Sequence, residues 1–234
     1  MGKGVAGHAA MAGLMAVMML LLAGCAHEKS VSRAGADGPP FSVDADYERL
    51  AAQGKRVFRI IPGESSMLMV VRRAGTLARL GHDHVISSSE LNGYVAPADA
   101  RADLYIDLNT LVVDDPELRA RAGLDTQPSA SDIVSTRNNM LASLDAGRFP
   151  HIRVSVTDIT PDGLMVDITL HGVTRRNLAV PAVLAKTDNA LTASGQLAVN
   201  QSDFGIVPFS ILGGAIRVQD RVELSFRISA KALK

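Results

Sequence analysis

Tryptophan is absent from this chain of 234 residues, cysteine occurs once, and only three Tyr and six Phe are present. So few flat rings leave little on which bases or sugars could stack. No basic stripe compensates, because 24 Lys plus Arg balance 24 Asp plus Glu. Nucleic acid is therefore not expected as a partner. The lone cysteine, Cys25, rules out any intramolecular disulfide. No apolar run reaches the roughly eighteen residues that a membrane-spanning helix requires. The run from Met11 to Ala23 falls short, and the Ser, Gly and Pro that follow it are not a stop-transfer flank. Signatures of catalysis are missing as well. There is no Gly-x-Ser-x-Gly elbow and no His-Glu-x-x-His, and Gly63-Glu64-Ser65 lacks the closing glycine. The expectation is a protein that binds and does not catalyse.

At the N-terminus, Lys3 precedes the apolar run, which closes on Leu22-Ala23-Gly24-Cys25, small residues before a cysteine. Residues 1–24 read as a cleaved export signal. The four closing residues resemble the lipobox of bacterial lipoproteins, which implies that Cys25 is acylated and begins the mature chain. Ala26 in place of Asp implies, by the same resemblance, the outer membrane. The expected location is the periplasmic face of that membrane in the bacterial cell envelope, lipid-anchored through Cys25. Several acyl chains on one residue hold a protein at a bilayer where one chain binds only marginally. Residues 25–40, rich in Ala, Ser, Gly and charge and closed by Pro39-Pro40, are too polar to fold and read as a tether. Residues 41–234, about 190 of them, suit one domain with a real core.

That domain is patterned for sheet. In Ala102 to Leu108, apolar Leu104, Ile106 and Leu108 alternate with Asp103, Tyr105 and Asp107, the signature of a half-buried strand. The period recurs in Ile152, Val154 and Val156, in Leu164 to Leu170, and in Val222 to Ile228. Pro161-Asp162-Gly163 and Thr187-Asp188-Asn189 mark hairpin turns between such runs. Further strands are expected over 84–88, 91–95, 175–184 and 191–200. Val57–Ile61 and Ser66–Arg72 read as a first pair joined by Pro62-Gly63. The rhythm excludes βαβ units and predicts an all-β antiparallel sandwich or barrel. Two helical pieces interrupt it. Asp115-Pro116-Glu117 opens a short one. A longer one over 131–145 places Ile133, Met140, Leu141 and Leu144 on one face that covers the sheet.

Leu80-Gly81-His82-Asp83-His84 sets two imidazoles on one side of an extended segment. A catalytic zinc takes about three protein ligands and a structural one about four. A metal site would therefore need His151, His171 or a carboxylate to join His82 and His84. The alternative is that these histidines hydrogen-bond backbone and carboxylate groups near a barrel rim, and no metal or other cofactor is expected.

Taken in order, Leu80 to His84, Arg137-Asn138-Asn139-Met140-Leu141, Phe149-Pro150-His151-Ile152, Leu170-His171-Gly172-Val173-Thr174 and Ser202-Asp203-Phe204-Gly205-Ile206 resemble the YceI-like, or polyisoprenoid-binding, family. The resemblance spans most of the chain after the tether. It implies a lipocalin-like antiparallel β-barrel of about eight strands, with an apolar tunnel for an isoprenoid or fatty amphiphile. Many relatives carry an arginine where this chain has Gln201; Arg175 and Arg176, which follow Gly172-Val173-Thr174, either face an anionic head group or are simply solvated. A small barrel either fills its interior or encloses one ligand. The inward candidates for contacting a lipid are Leu104, Ile106, Leu108, Val166, Ile168, Leu224, Phe226 and Ile228, with Phe204 and Phe209 near a glycine-rich turn. The other reading open to such a chain is a structural lipoprotein that docks an envelope complex through an outer sheet face.

Overall fold

The computed structural model describes residues 42–233; the export signal, Cys25 and the tether lie outside the described residues. Stretches with a period of two fold as β1 (Phe58–Ile60), β2 (Ser66–Ala74), β3 (His84–Ser88), β4 (Asn92–Ala96), β5 (Arg101–Asp107), β6 (Val112–Val113), β7 (His151–Thr160), β8 (Gly163–Leu170), β9 (Val173–Lys186), β10 (Ala190–Asn200), β11 (Ser210–Ile211) and β12 (Ile216–Ala232). Eight of them close a ring in the order β1, β4, β5, β7, β8, β9, β10, β12 and back to β1. Each neighbouring pair is antiparallel. This is the eight-strand, lipocalin-like barrel that the family resemblance implies; the strand pattern alone left a sandwich open. Full closure leaves no open edge in the ring.

The first strands depart from expectation. Residues 58–60 and 66–74 do not pair with each other; both lie end to end along the same side of β12, opposite 232–230 and 227–217. Pro62-Gly63 is thus an interruption in one long antiparallel partner and not a hairpin. The break is stitched to β12 by side chain and backbone. Ser65 Oγ donates to the Ser229 carbonyl at 3.2 Å and accepts from its N–H at 3.0 Å, and the Ile61 N–H bonds the same carbonyl at 2.9 Å. After the break the ladder changes course: β2 continues into β3 and β6, a branch outside the ring.

Three α-helices are present among the described residues: α1 (Ser42–Ala52), α2 (Pro116–Arg121) and α3 (Ala130–Ser143). The last two begin where the sequence places them, each with a reason. Asp115 accepts from the N–H groups of Glu117 and Leu118, satisfying donors that the first turn of α2 leaves free. Ser129 and Asp132 form a reciprocal capping box at α3. Ile133, Met140, Leu141 and Leu144 on α3 pack on the main core, which includes Phe58, Ile60, Ile106 and Ile228. Helix α1 has no counterpart among the elements that the sequence pattern predicts. It rests on the outside of β4, where Tyr47 stacks on Tyr94 with ring centres 5.4 Å apart and its hydroxyl donates to Asp103 Oδ2 at 3.0 Å.

Candidate functional site

Because alternate side chains of a strand face one way, the ring of eight strands turns one apolar row from each strand inward. The inward rows do not meet. They leave a cavity of about 350 Å³ lined by Leu104 and Ile106 of β5, Val154 and Val156 of β7, Leu164, Val166, Ile168 and Leu170 of β8, Val180 of β9, Leu191 and Leu197 of β10, and Leu224, Phe226 and Ile228 of β12. Only Arg101 and Lys186 carry charge among its lining residues. A second space of about 180 Å³ lies under α3, bounded by Met140 and Leu144 and by Val71, Ile86, Ile206, Phe209 and Val222. Met69, Ile152, Leu170, Val199 and Phe204 line both, so the two are neighbouring compartments.

Native interiors rarely contain voids much larger than a water molecule. At roughly 24 cal/mol per Å³ of unfilled cavity, a dry and sealed space of this size would cost at most about 8 kcal/mol relative to a filled core. That is comparable with the whole stability of a typical domain, about 5–15 kcal/mol. Water is no remedy, because the wall offers it few hydrogen-bonding partners. An apolar occupant removes the cost.

Eight of the ten lipid-contact candidates lie on the wall of the larger cavity: Leu104, Ile106, Val166, Ile168, Phe204, Leu224, Phe226 and Ile228. Phe209 lines the smaller compartment only. Leu108 lines neither and is fully buried in the core. The alternation that nominated it stops one residue earlier, because β5 ends at Asp107 and Leu108 begins a 3₁₀ turn whose first free N–H is held by the Asp107 carboxylate. Several wall residues were not foreseen, among them Met67 and Met69 of β2, Val95 of β4 and Leu91 just before it.

The histidines do not converge. His84 Nδ1 donates to Asp114 Oδ2 at 2.6 Å, and the other oxygen of that buried carboxylate accepts from the Val85 N–H at 3.0 Å and from Arg119 at 2.5 Å. Arg119 is itself buried and also donates to the Asp83 and Thr126 carbonyls. His82 lies 6.3 Å from His84 by ring centre, with its Nδ1 buried and unpartnered. His171 donates from Nδ1 to the Phe204 carbonyl at 3.2 Å, and His151 stands edge-on to Tyr105. Among the described residues no group of three or more His, Cys, Asp or Glu is placed to hold a metal ion. Burial opposes ionisation of Asp114. The hydrogen bonds from His84, Val85 and Arg119 outweigh it and hold the carboxyl below its ordinary range. Arg175 and Arg176 are exposed and paired with Asp203 and Asp167 at 2.9 and 3.3 Å. Gln201 lines the smaller compartment and donates to the Gln219 carbonyl at 2.8 Å.

Residues 59–230 match the YceI-like domain family. The chain belongs to the YceI-like family. A solved structure agrees in fold. A polyisoprenoid binding domain from Saccharophagus degradans, implicated in plant cell wall breakdown, superposes with a TM-score of 0.53 at 12% identity, covering 76% of this chain and 100% of that one. BcnA of Burkholderia cenocepacia gives 0.48 at 17% identity over 73% of this chain and 98% of its own. No curated protein matches the sequence. In this YceI-like chain the family domain runs from β1 to near the end of β12, so it comprises the whole ring that encloses the cavity.

Proposed function

We propose that the protein binds one long-chain amphiphile, of isoprenoid or fatty type, in the barrel cavity and serves as a carrier or buffer for it at an envelope membrane, without catalysing a reaction. The observation that carries this reading is the almost wholly apolar cavity inside a closed eight-strand ring. The polyisoprenoid binding domain of Saccharophagus degradans shares the fold, which supports an isoprenoid over a compact ligand. The energetics suit a carrier. Each methylene buried from water gains about 0.8 kcal/mol, so even a short chain is held firmly against the aqueous phase. Against a bilayer interior the gain is near zero, which allows loading and unloading at a membrane. Lipidation of Cys25 and residence at the periplasmic face of the outer membrane belong to the same proposal and rest on Leu22-Ala23-Gly24-Cys25.

Titration with a fluorescent polyprenol analogue tests the binding claim. Saturable uptake at one probe per chain, displaced by unlabelled polyprenol, is expected; non-saturating uptake contradicts it. For the anchor, the intact mass of the protein extracted from membranes is expected to include acyl chains on Cys25, an added mass that Cys25→Ser loses; an unmodified Cys25 contradicts lipidation at this residue.

A further inference from the structure

The loop after β2 and the loop that carries β11 come together at one end of the barrel. Leu77 N–H bonds the Ala215 carbonyl at 2.8 Å. Gly75 approaches the 214–215 backbone so closely that a Cβ there would lie 2.3 Å from the Ala215 oxygen. The tip they form is apolar where it meets solvent: Leu80 is 62% exposed, Val207 81% and Leu212 68%, with Ile211 beside them. Such a concentration of exposed apolar side chains on one end marks a contact surface. Residues 75–82 and 205–219 contain no Asp or Glu, and their charged residues are Arg79 and Arg217, both exposed. Of the neighbouring carboxylates, Asp83 is paired with Arg72 and Arg73 and Asp203 with Arg175, while Asp220 accepts from Ser202 and keeps its charge. Phe209 joins this surface to the interior, because it is 36% exposed and lines the compartment under α3.

The other end of the barrel provides the contrast. Val183, Leu184 and Ile159 are exposed there too, but Asp158, Asp162 and Asp188 lie in and beside its two hairpin turns, among the cations Arg101 and Lys186. An anionic surface attracts the first end and not the second.

We propose that the tip formed by residues 75–82 and 205–219 docks on an anionic lipid bilayer, immersing Val207, Ile211, Leu212 and Leu80 while Arg79 and Arg217 meet the head groups, so that the compartment under α3, which Phe209 lines, faces the membrane. The proposal rests on the lipid-carrier reading and specifies its membrane face. Apolar side chains flanked by basic ones are the pattern of interfacial binding.

The chain has no tryptophan, so Val207→Trp introduces a single reporter at the tip, and Val183→Trp places one at the opposite end. Both are made in the full chain carrying Cys25→Ser, so that no acyl chain attaches there. With vesicles of phosphatidylethanolamine and phosphatidylglycerol, Val207→Trp emission is expected to shift to the blue, while Val183→Trp emission stays unshifted. Phosphatidylcholine vesicles leave both unshifted. Each basic side chain near an anionic surface contributes a factor of about five, so adding Arg79→Gln and Arg217→Gln raises the half-maximal vesicle concentration roughly thirtyfold. An unshifted Val207→Trp, equal shifts at both ends, or indifference to the arginines overturns the proposal. If the tip stays in water while the protein takes up the polyprenol probe, docking fails and the carrier reading stands. If the probe is not taken up, the carrier reading fails whatever the tip does.

Discussion

At the scale of single residues, the most consequential polar side chains outside the cavity are Asp114 and Arg119, both buried, which join β3 to the start of α2. Removing one member of such a pair leaves the other charge uncompensated. Arg119→Met is expected to destabilise the fold by about 3–5 kcal/mol in urea titration; a loss below about 1 kcal/mol would show that the pair contributes little. Asp114 also gives a pH dependence of known sign. Its folded pKa lies below its unfolded one, so its stabilisation is present above about pH 3.9 and is lost as the pH falls through the folded value. Stability measured across that acidic range should fall less steeply in Asp114→Asn than in the parent; parallel curves contradict the assignment. On the cavity wall, Leu104→Phe with Ile168→Phe fills space without adding polarity. The fold is expected to survive, with a change within about 1–3 kcal/mol of either sign, while uptake of the polyprenol analogue drops at least tenfold. Uptake unchanged places the ligand elsewhere. These residues differ in how legible they were. Period two located the wall, since eight of ten candidates line it, and it failed at Leu108, where a carboxylate cap ends the strand one residue early. The Asp114 network was invisible because its members, at positions 84, 114 and 119, meet only after β3 and α2 come together.

At the scale of elements, helix α3 closes the side of the smaller compartment, and its hold depends on a cap at one end and a stripe of four apolar residues. Ser129→Ala removes half of the capping box and is expected to cost about 1 kcal/mol. Faster amide exchange should be confined to the first turns of α3; acceleration spread evenly through β8 and β12 would mean that the helix and the barrel unfold as one. This helix was readable from the period of its apolar residues. Helix α1 was not, because its apolar stripe is short: Tyr47, Leu50 and Ala51 pack with Val57, Tyr94 and Ala96, and one turn of i, i+3, i+4 spacing is a weak signal. The pairing of β1 and β2 was misread for a related reason. Pro62-Gly63 is turn chemistry wherever it occurs, and only the register along β12 distinguishes a hairpin from a break in one strand.

At the scale of the molecule, closure of the eight-strand ring decides the rest. A barrel of this size has room for side chains or for one ligand, and these side chains leave about 350 Å³ unfilled. A ligand that fills this space stabilises the folded state by mass action, so lipid-loaded protein should melt higher than protein stripped of lipid. The measurement that tests the central claim most directly is mass spectrometry of an organic extract from the full protein purified without added lipid, with the amount of lipid referred to the amount of protein. The account predicts a long-chain amphiphile at about one per chain, as a barrel enclosing one ligand requires. Protein that yields no such lipid, and takes none up when it is offered, would contradict it.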